Sequence, residues 1–341
     1  MRIKGIVYDT GFINAGVTTK EKFDTNIIKR EMHIIKNDLH CNAVRITGGD
    51  ADRLETVAKL AAIERLEVWY CAFTCGLTID ELARFLIDAA ERAERIRSSG
   101  ADVVFITGSE ISLINKGFFK EETLTERLAL ITNPLKFREQ IPQVQAKMKV
   151  FLADVVQQIR QKFKGKISYA SLPFEGVDWS LFDFISTDAG HRSADIAPYF
   201  QKGIQALVSQ GKPVAITEFG CCTYRGAADK GAHADWIIEW DDSGRASHLN
   251  NIFIRDEDEQ ANYLLELLKI FETEKVDAVF VNTFARYDLP HRGDPIKDLD
   301  LASGGIVKVY EDRQGKIYPD MPWEPKAAFY ELSKFYKRER E

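Results

Sequence analysis

Eight short apolar runs punctuate the chain: Ile3–Tyr8, Ala43–Thr47, Glu67–Phe73, Val103–Thr107, Ile167–Ser171, Phe184–Thr187, Val214–Thr217 and Ala278–Thr283. They are rich in β-branched and aromatic residues, and most are apolar at odd and even positions alike. A strand apolar on both faces must be covered on both faces, as in a parallel sheet flanked by helices. Stretches of helical periodicity lie between the runs. Thr78-Ile79-Asp80-Glu81 has capping-box spacing, and Leu82, Phe85, Leu86, Ala89, Ala93 and Ile96 follow it as one stripe. Asp256 to Glu259 opens another helix with acidic residues at the positive end of its dipole, ahead of Ala261, Leu264, Leu265, Leu268 and Phe271. A last helix is expected from Pro325, a favoured first-turn residue, to about Tyr336.

Strands alternating with helices, at about 40 residues per unit, predict an α/β fold: a (β/α)8 barrel over residues 1–341 as one domain. A doubly wound open sheet is the alternative. It would place a Gly-rich phosphate turn after the first strand, where this chain reads Tyr8-Asp9-Thr10-Gly11-Phe12. Three connections are long. Residues 111–141 follow the fourth strand, with a helix expected over Leu124–Ile131, and residues 219–255 follow the seventh. Residues 305–318 read as a hairpin of Ile306–Tyr310 with Lys316–Tyr318, turning at Asp312-Arg313-Gln314-Gly315. All three fall on the strand-to-helix side, the functional face of a barrel.

Charge and composition narrow the partners to small molecules. A net charge of −6 gives no electrostatic footprint for nucleic acid. No stretch approaches 18 uncharged apolar residues, so no membrane span is expected. Five cysteines, an odd number, make no disulfide framework: Cys41, Cys71 and Cys75 are scattered and Cys221-Cys222 is a vicinal pair. The chain enters its first strand at Ile3 with no h-region, and the expectation is a cytoplasmic protein with reduced thiols. The six histidines form no H-x-H and no H-E-x-x-H, so no metal site is expected; His33 and His40 are read as surface residues.

In a barrel, the residue at the C-terminal tip of each strand faces the site. Those tips are Asp9, Arg45, Phe73, Glu110, Ser171, Asp188, Glu218 and Asn282. Glu110 follows Val104-Phe105-Ile106-Thr107-Gly108-Ser109, and Glu218 lies between Ile216-Thr217 and Phe219-Gly220. A single Glu at a strand end is ordinarily a solvated or ion-paired surface group. Two, on strands four and seven across one mouth, are the minimal apparatus of glycoside hydrolysis.

The same residues carry a resemblance. Ile216-Thr217-Glu218-Phe219-Gly220 resembles the nucleophile strand of clan A glycoside hydrolases, and Asn42-Ala43-Val44-Arg45-Ile46 resembles their second strand. The tail Trp323-Glu324-Pro325-Lys326-Ala327-Ala328-Phe329-Tyr330 resembles their closing helix. Within that superfamily the chain looks most like a bacterial group called abortive phage infection proteins. The resemblance implies a retaining glycosidase needing no cofactor, acting on a small intracellular glycoside. It makes Glu218 the nucleophile, Glu110 the acid/base and Arg45 the residue orienting Glu218. A guanidinium beside Glu218 is expected to keep it ionised, while burial or a neighbouring charge raises the acid.

Three positions depart from the family pattern. Ser109 stands where an Asn usually binds the sugar 2-hydroxyl, and Asn282 where an aromatic usually stacks on the sugar, with Phe284 and Tyr287 nearby. Asp188 and His191 stand where a Tyr commonly follows the sixth strand. Asp9, Arg45, Ser109, Asp188, His191, Tyr224, Asn282 and Tyr287 are therefore the expected substrate contacts. On the loop after strand seven, Tyr224, Arg225, Trp236 and Trp240 could stack on a sugar or pack the loop onto the barrel. Cys221-Cys222 reads as small buried hydrophobes rather than as a thiol nucleophile with His233 as base. Ser303-Gly304-Gly305 reads as a turn rather than a phosphate cradle. Two rivals remain: a catalytically silent barrel that binds a ligand or partner, as in phage defence, and an enzyme using the two carboxylates for proton transfer on a non-sugar substrate.

Overall fold

The computed structural model describes residues 1–338. The barrel strands are β1 (Ile3–Asp9), β2 (Ala43–Gly48), β3 (Glu67–Ala72), β4 (Val103–Ser109), β5 (Lys166–Ala170), β6 (Ile185–Thr187), β7 (Val214–Phe219) and β8 (Ala278–Val281). All pair in parallel, in the order β5-β4-β3-β2-β1-β8-β7-β6. The ring closes between β5 and β6, through a parallel bridge of Ser171 with Thr187 and a 2.6 Å hydrogen bond between the Ser168 and Ser186 hydroxyls. This is a (β/α)8 barrel.

The helices packed around it are α1 (Thr25–Asn37), α2 (Ala51–Ile63), α3 (Ile79–Ser98), α4 (Pro134–Lys162), α5 (Ala197–Val208), α6 (Glu257–Thr273) and α7 (Ala327–Lys337). The caps form as their residues dictate. Thr78 and Glu81 make the reciprocal capping box of α3, and Asp256 accepts from the Glu259 amide at the start of α6. The helix expected after β4 spans Leu124–Ile131, with its own capping box at Thr123 and Glu126.

Three expectations need correction. No α-helix joins β5 to β6. That connection holds only the 3₁₀ turns Pro173–Glu175 and Trp179–Leu181, broken by Gly176 in the left-handed region, and is too short for an amphipathic helix. The hairpin partner of Val307–Val309 is Trp323–Pro325, not Lys316–Tyr318. Burial decides it: Trp323 is completely buried and its indole donates to Glu31. Pro325 therefore lies in a strand, and the last helix begins at Ala327.

Inside the barrel the core is solid. The Trp69 ring lies 5.0 Å from Phe184 and 4.9 Å from Phe280, above Ile3 and Ala278. This plug closes the bottom, so any site must lie at the C-terminal mouth. No described helix is long and apolar enough to cross a membrane.

Candidate active site

Irregular backbone at two strand ends aims the two glutamates. β4 shifts register against β5 between Ile106 and Ser109, and β7 shifts against β8 between Ile216 and Phe219. In each case the glutamate-bearing strand carries one extra residue. Such a bulge re-aims the side chains beyond it. On β4 it passes through Gly108 at φ +88°, where a Cβ would also lie 2.6 Å from Ile111. Glu110 then takes φ 48°, ψ 34°, and its carbonyl accepts from the Leu113 and Ile114 amides of a short helical turn.

Beneath the mouth, Arg45 is completely buried and organises three strand tips. Its Nη1 donates to Glu218 Oε1 at 2.8 Å, to the Thr217 carbonyl at 2.9 Å and to Asp188 Oδ1 at 3.0 Å. Its Nη2 donates to Ser109 Oγ at 3.0 Å and meets the Cys71 sulfur at 3.6 Å. The Ser109 hydroxyl in turn donates to Asp188 Oδ2 at 2.6 Å. Asn282 completes the shell of Glu218, its amide donating to Oε2 at 2.9 Å. Each Glu218 oxygen is thus held by its own donor. Gly190 lets the loop after β6 press on this tip, for a Cβ there would stand 2.3 Å from the Glu218 carbonyl.

Glu110 is treated differently. No described residue hydrogen-bonds its half-buried carboxyl. Burial pushes its pKa well above the carboxylate range, and the charges of Asp188, Glu218 and Glu175 push the same way, against Arg45. Glu218 corrects the expectation of a depressed nucleophile. Burial, then Asp188, raise it to about 7, although Arg45 pulls it down. Both carboxyls are raised, and they differ in what holds them: Glu218 has two donors and Glu110 has none.

The remaining candidates separate. Asp188 and Ser109 lie in the buried Arg45 network, where the Ser109 hydroxyl already donates once and accepts once. His191 donates through Nδ1 to the Gly220 carbonyl at 2.7 Å, and burial lowers its pKa. Asp9 turns back on its own loop, accepting from the Gly11 amide and the Thr19 hydroxyl. Tyr287 donates to buried Glu31 at 2.5 Å, alongside Tyr8 and Trp323, within a network on the outer side of β1. Tyr224 is 3% exposed and its hydroxyl donates to Ala234, so it packs the loop. Trp236 and Trp240 are half exposed, at 50% and 56%.

All five cysteines are free, and burial raises both Cys221 and Cys222, the latter donating to the Ala302 carbonyl at 3.0 Å. Ser303-Gly304-Gly305 is a close-packed turn, where a Cβ on Gly304 would lie 2.8 Å from the Asn282 carbonyl. Among the described residues, no group of three His, Cys, Asp or Glu is arranged to hold a metal.

Sequence reasoning missed several residues near this mouth. Arg286 is bound by Asp288 at 2.8 and 2.6 Å, and its charge acts on Glu218, Asp9 and Asp235. Its place just past the β8 tip was a usable signal. Phe12 packs its ring 4.9 Å from Phe73, the tip of β3. Asp235, whose charge acts on His191 and Arg286, lies mid-loop with no sequence signal.

Comparison with solved structures finds glycoside hydrolase barrels. A GH113 β-1,4-mannanase superposes with a TM-score of 0.59 at 15% identity, covering 99% of this chain and all of that one. The GH113 β-mannanase of Alicyclobacillus acidocaldarius gives 0.57 at 14% identity, over 98% and 97% of the two chains. A β-glucuronidase of Parabacteroides merdae gives 0.57 at 15% identity, covering 99% of this chain but 37% of that one. No protein-family model and no curated protein matches the chain. At such identities the likeness shows the fold, and this chain shares its barrel with those glycoside hydrolases.

Proposed function

We propose that the protein is a retaining glycoside hydrolase acting on a small intracellular glycoside, with Glu218 as nucleophile and Glu110 as acid/base. One observation carries the reading: both oxygens of Glu218 are held by donors, from Arg45 and Asn282, while the Glu110 carboxyl has none. A carboxylate fixed by donors is poised to attack, and an unbonded, desolvated carboxylic acid keeps its proton to give away. Glu218 attacks the anomeric carbon as Glu110 protonates the departing oxygen. Glu110 then takes a proton from water, which displaces Glu218 and restores the enzyme. Two carboxylates and one water complete the cycle without a cofactor. Asp188 and Ser109 serve by locking Arg45 in place.

The test is a panel of chromogenic aryl glycosides. It begins with β-mannosides and β-glucuronides, for which similar barrels are named. Turnover of any member with retained configuration supports the reading; inverted configuration, or no turnover across the panel, overturns it. The rival, a silent or non-glycosidase barrel such as one serving phage defence, draws on the committed Ser109 hydroxyl, which has no proton left for a sugar.

A further inference from the structure

Glu175 lies on the short connection after β5 and is completely buried. Its carboxylate has four donors and, among the described residues, no cation. Oε1 accepts from the Ser112 amide at 3.1 Å, the Ser112 hydroxyl at 2.7 Å and the Tyr169 hydroxyl at 2.8 Å, and Oε2 accepts from the Leu172 amide at 2.8 Å. Tyr169 in turn accepts from the Ile111 amide at 2.9 Å. Ile111 and Ser112 are the two residues after Glu110. Their amides open the turn that follows its left-handed bend, and both are tied to this one carboxylate.

An isolated buried carboxylate is costly, and its neutral donors supply only part of what water gave it. The neighbour that would feel its charge is Glu110. We propose that Glu175 is the positioning residue of Glu110: it anchors the bend that presents the acid/base and sets a second carboxyl behind it. This deepens the hydrolase reading and rests on it for its catalytic meaning.

The charged groups facing Glu110 come from four other elements: Arg45 on β2, Asp188 beyond β6, Glu218 on β7 and Glu175 itself, with Tyr169 on β5. Glu175 and Glu218 both act to keep the Glu110 proton, and Glu175 does so from a completely buried position. Burial pushes Glu175 up to about 7, against its four donors, so its charge appears across the neutral range in which Glu110 must stay protonated.

The experiment follows Glu110 itself, by carboxyl-carbon NMR titration of wild type, Glu175→Gln and Tyr169→Phe, with kcat/KM profiles alongside. E175Q should lower the Glu110 midpoint by about one pH unit and move the alkaline limb of kcat/KM with it, since a nearby like charge shifts a carboxyl by that order. Y169F removes one neutral donor that holds the Glu175 carboxyl down but leaves the carboxyl itself, so it should reduce kcat and move the Glu110 midpoint and the limb less than E175Q does. An unmoved Glu110 midpoint in folded E175Q overturns the proposal. Should E175Q not fold, the Glu110 resonance in Glu218→Gln, where the other glutamate acting on it no longer titrates, must still show a second inflection where Glu175 titrates, and a single inflection overturns the proposal equally. The titration needs no turnover: a protein inactive on every glycoside sinks the hydrolase reading and leaves this test intact.

Discussion

The tips of β4 and β7 are built alike and equipped in opposite ways. Each carries a bulge, and each ends in a glutamate facing the same mouth. At β7 the carboxylate meets a buried guanidinium and an amide; at β4 the carboxyl meets no donor, and burial and neighbouring negative charges outweigh the pull of Arg45. Three acids, Glu110, Asp188 and Glu218, share one completely buried cation, Arg45. The cation cannot neutralise them all, and Glu110 is the acid pushed up with no donor to hold its charge. On the proposed hydrolase reading, this geometry divides labour between two residues that chemistry makes identical.

The comparison breaks first at Glu218. Glu218→Gln keeps the shape and removes the charge, and a nucleophile has no substitute. Turnover of every glycoside should fall on the order of 10⁴-fold or more. Substantial activity remaining with good leaving groups would assign the attack elsewhere.

Glu110→Ala should do less, and selectively. Loss of proton donation is worth roughly 10²–10⁴-fold on alkyl glycosides. It matters little for a dinitrophenolate, which leaves unaided, so activated substrates should still form the glycosyl-enzyme. The second step should then slow for want of a base, and azide should restore turnover and yield a glycosyl azide of retained configuration. The alkaline limb should vanish from the pH profile of this variant. Equal losses in both variants, with no leaving-group dependence and no azide rescue, would dissolve the division of labour.

Much of this was legible in the chain. The barrel announced itself in doubly apolar runs because parallel strands are buried on both faces, and local rules of that kind survive folding. The α3 capping box and the acidic opening of α6 are equally local. What escaped depends on partners distant in sequence. Trp323 displaced Lys316–Tyr318 as hairpin partner because its indole reaches Glu31, on α1. The bulge between Ile216 and Phe219 leaves no mark in its run, and the one on β4 leaves only Gly108, yet they set where Glu218 and Ser109 point. Glu218 was expected below its usual pKa because the family resemblance placed Arg45 against it. The desolvation and the Asp188 charge that outweigh Arg45 are properties of the assembled mouth.

The smallest effect sharpens the comparison in the absence of any substrate. Native Glu110 holds its proton to a pH well above the value of about 4.3 at which an unfolded glutamate releases it. Between those two pH values the native state binds more protons than the unfolded state, so this group's contribution to stability falls as pH rises. Gln at 110 has no proton to lose and no charge to bury. Glu110→Gln should therefore match wild type near pH 4 and gain on it by up to about 1.4 kcal/mol per pH unit until native Glu110 ionises. The same sign applies at 218, whose raised pKa also lies above the unfolded value. There, however, a Gln amide must turn one N–H toward Arg45 or Asn282, both donors, so Glu218→Gln should recover less. Urea midpoints at pH 5 and pH 8 for the two variants read this directly. A gain at pH 8 that is larger for Glu218→Gln than for Glu110→Gln would reverse the assignment of the donor-bound and donor-free glutamates.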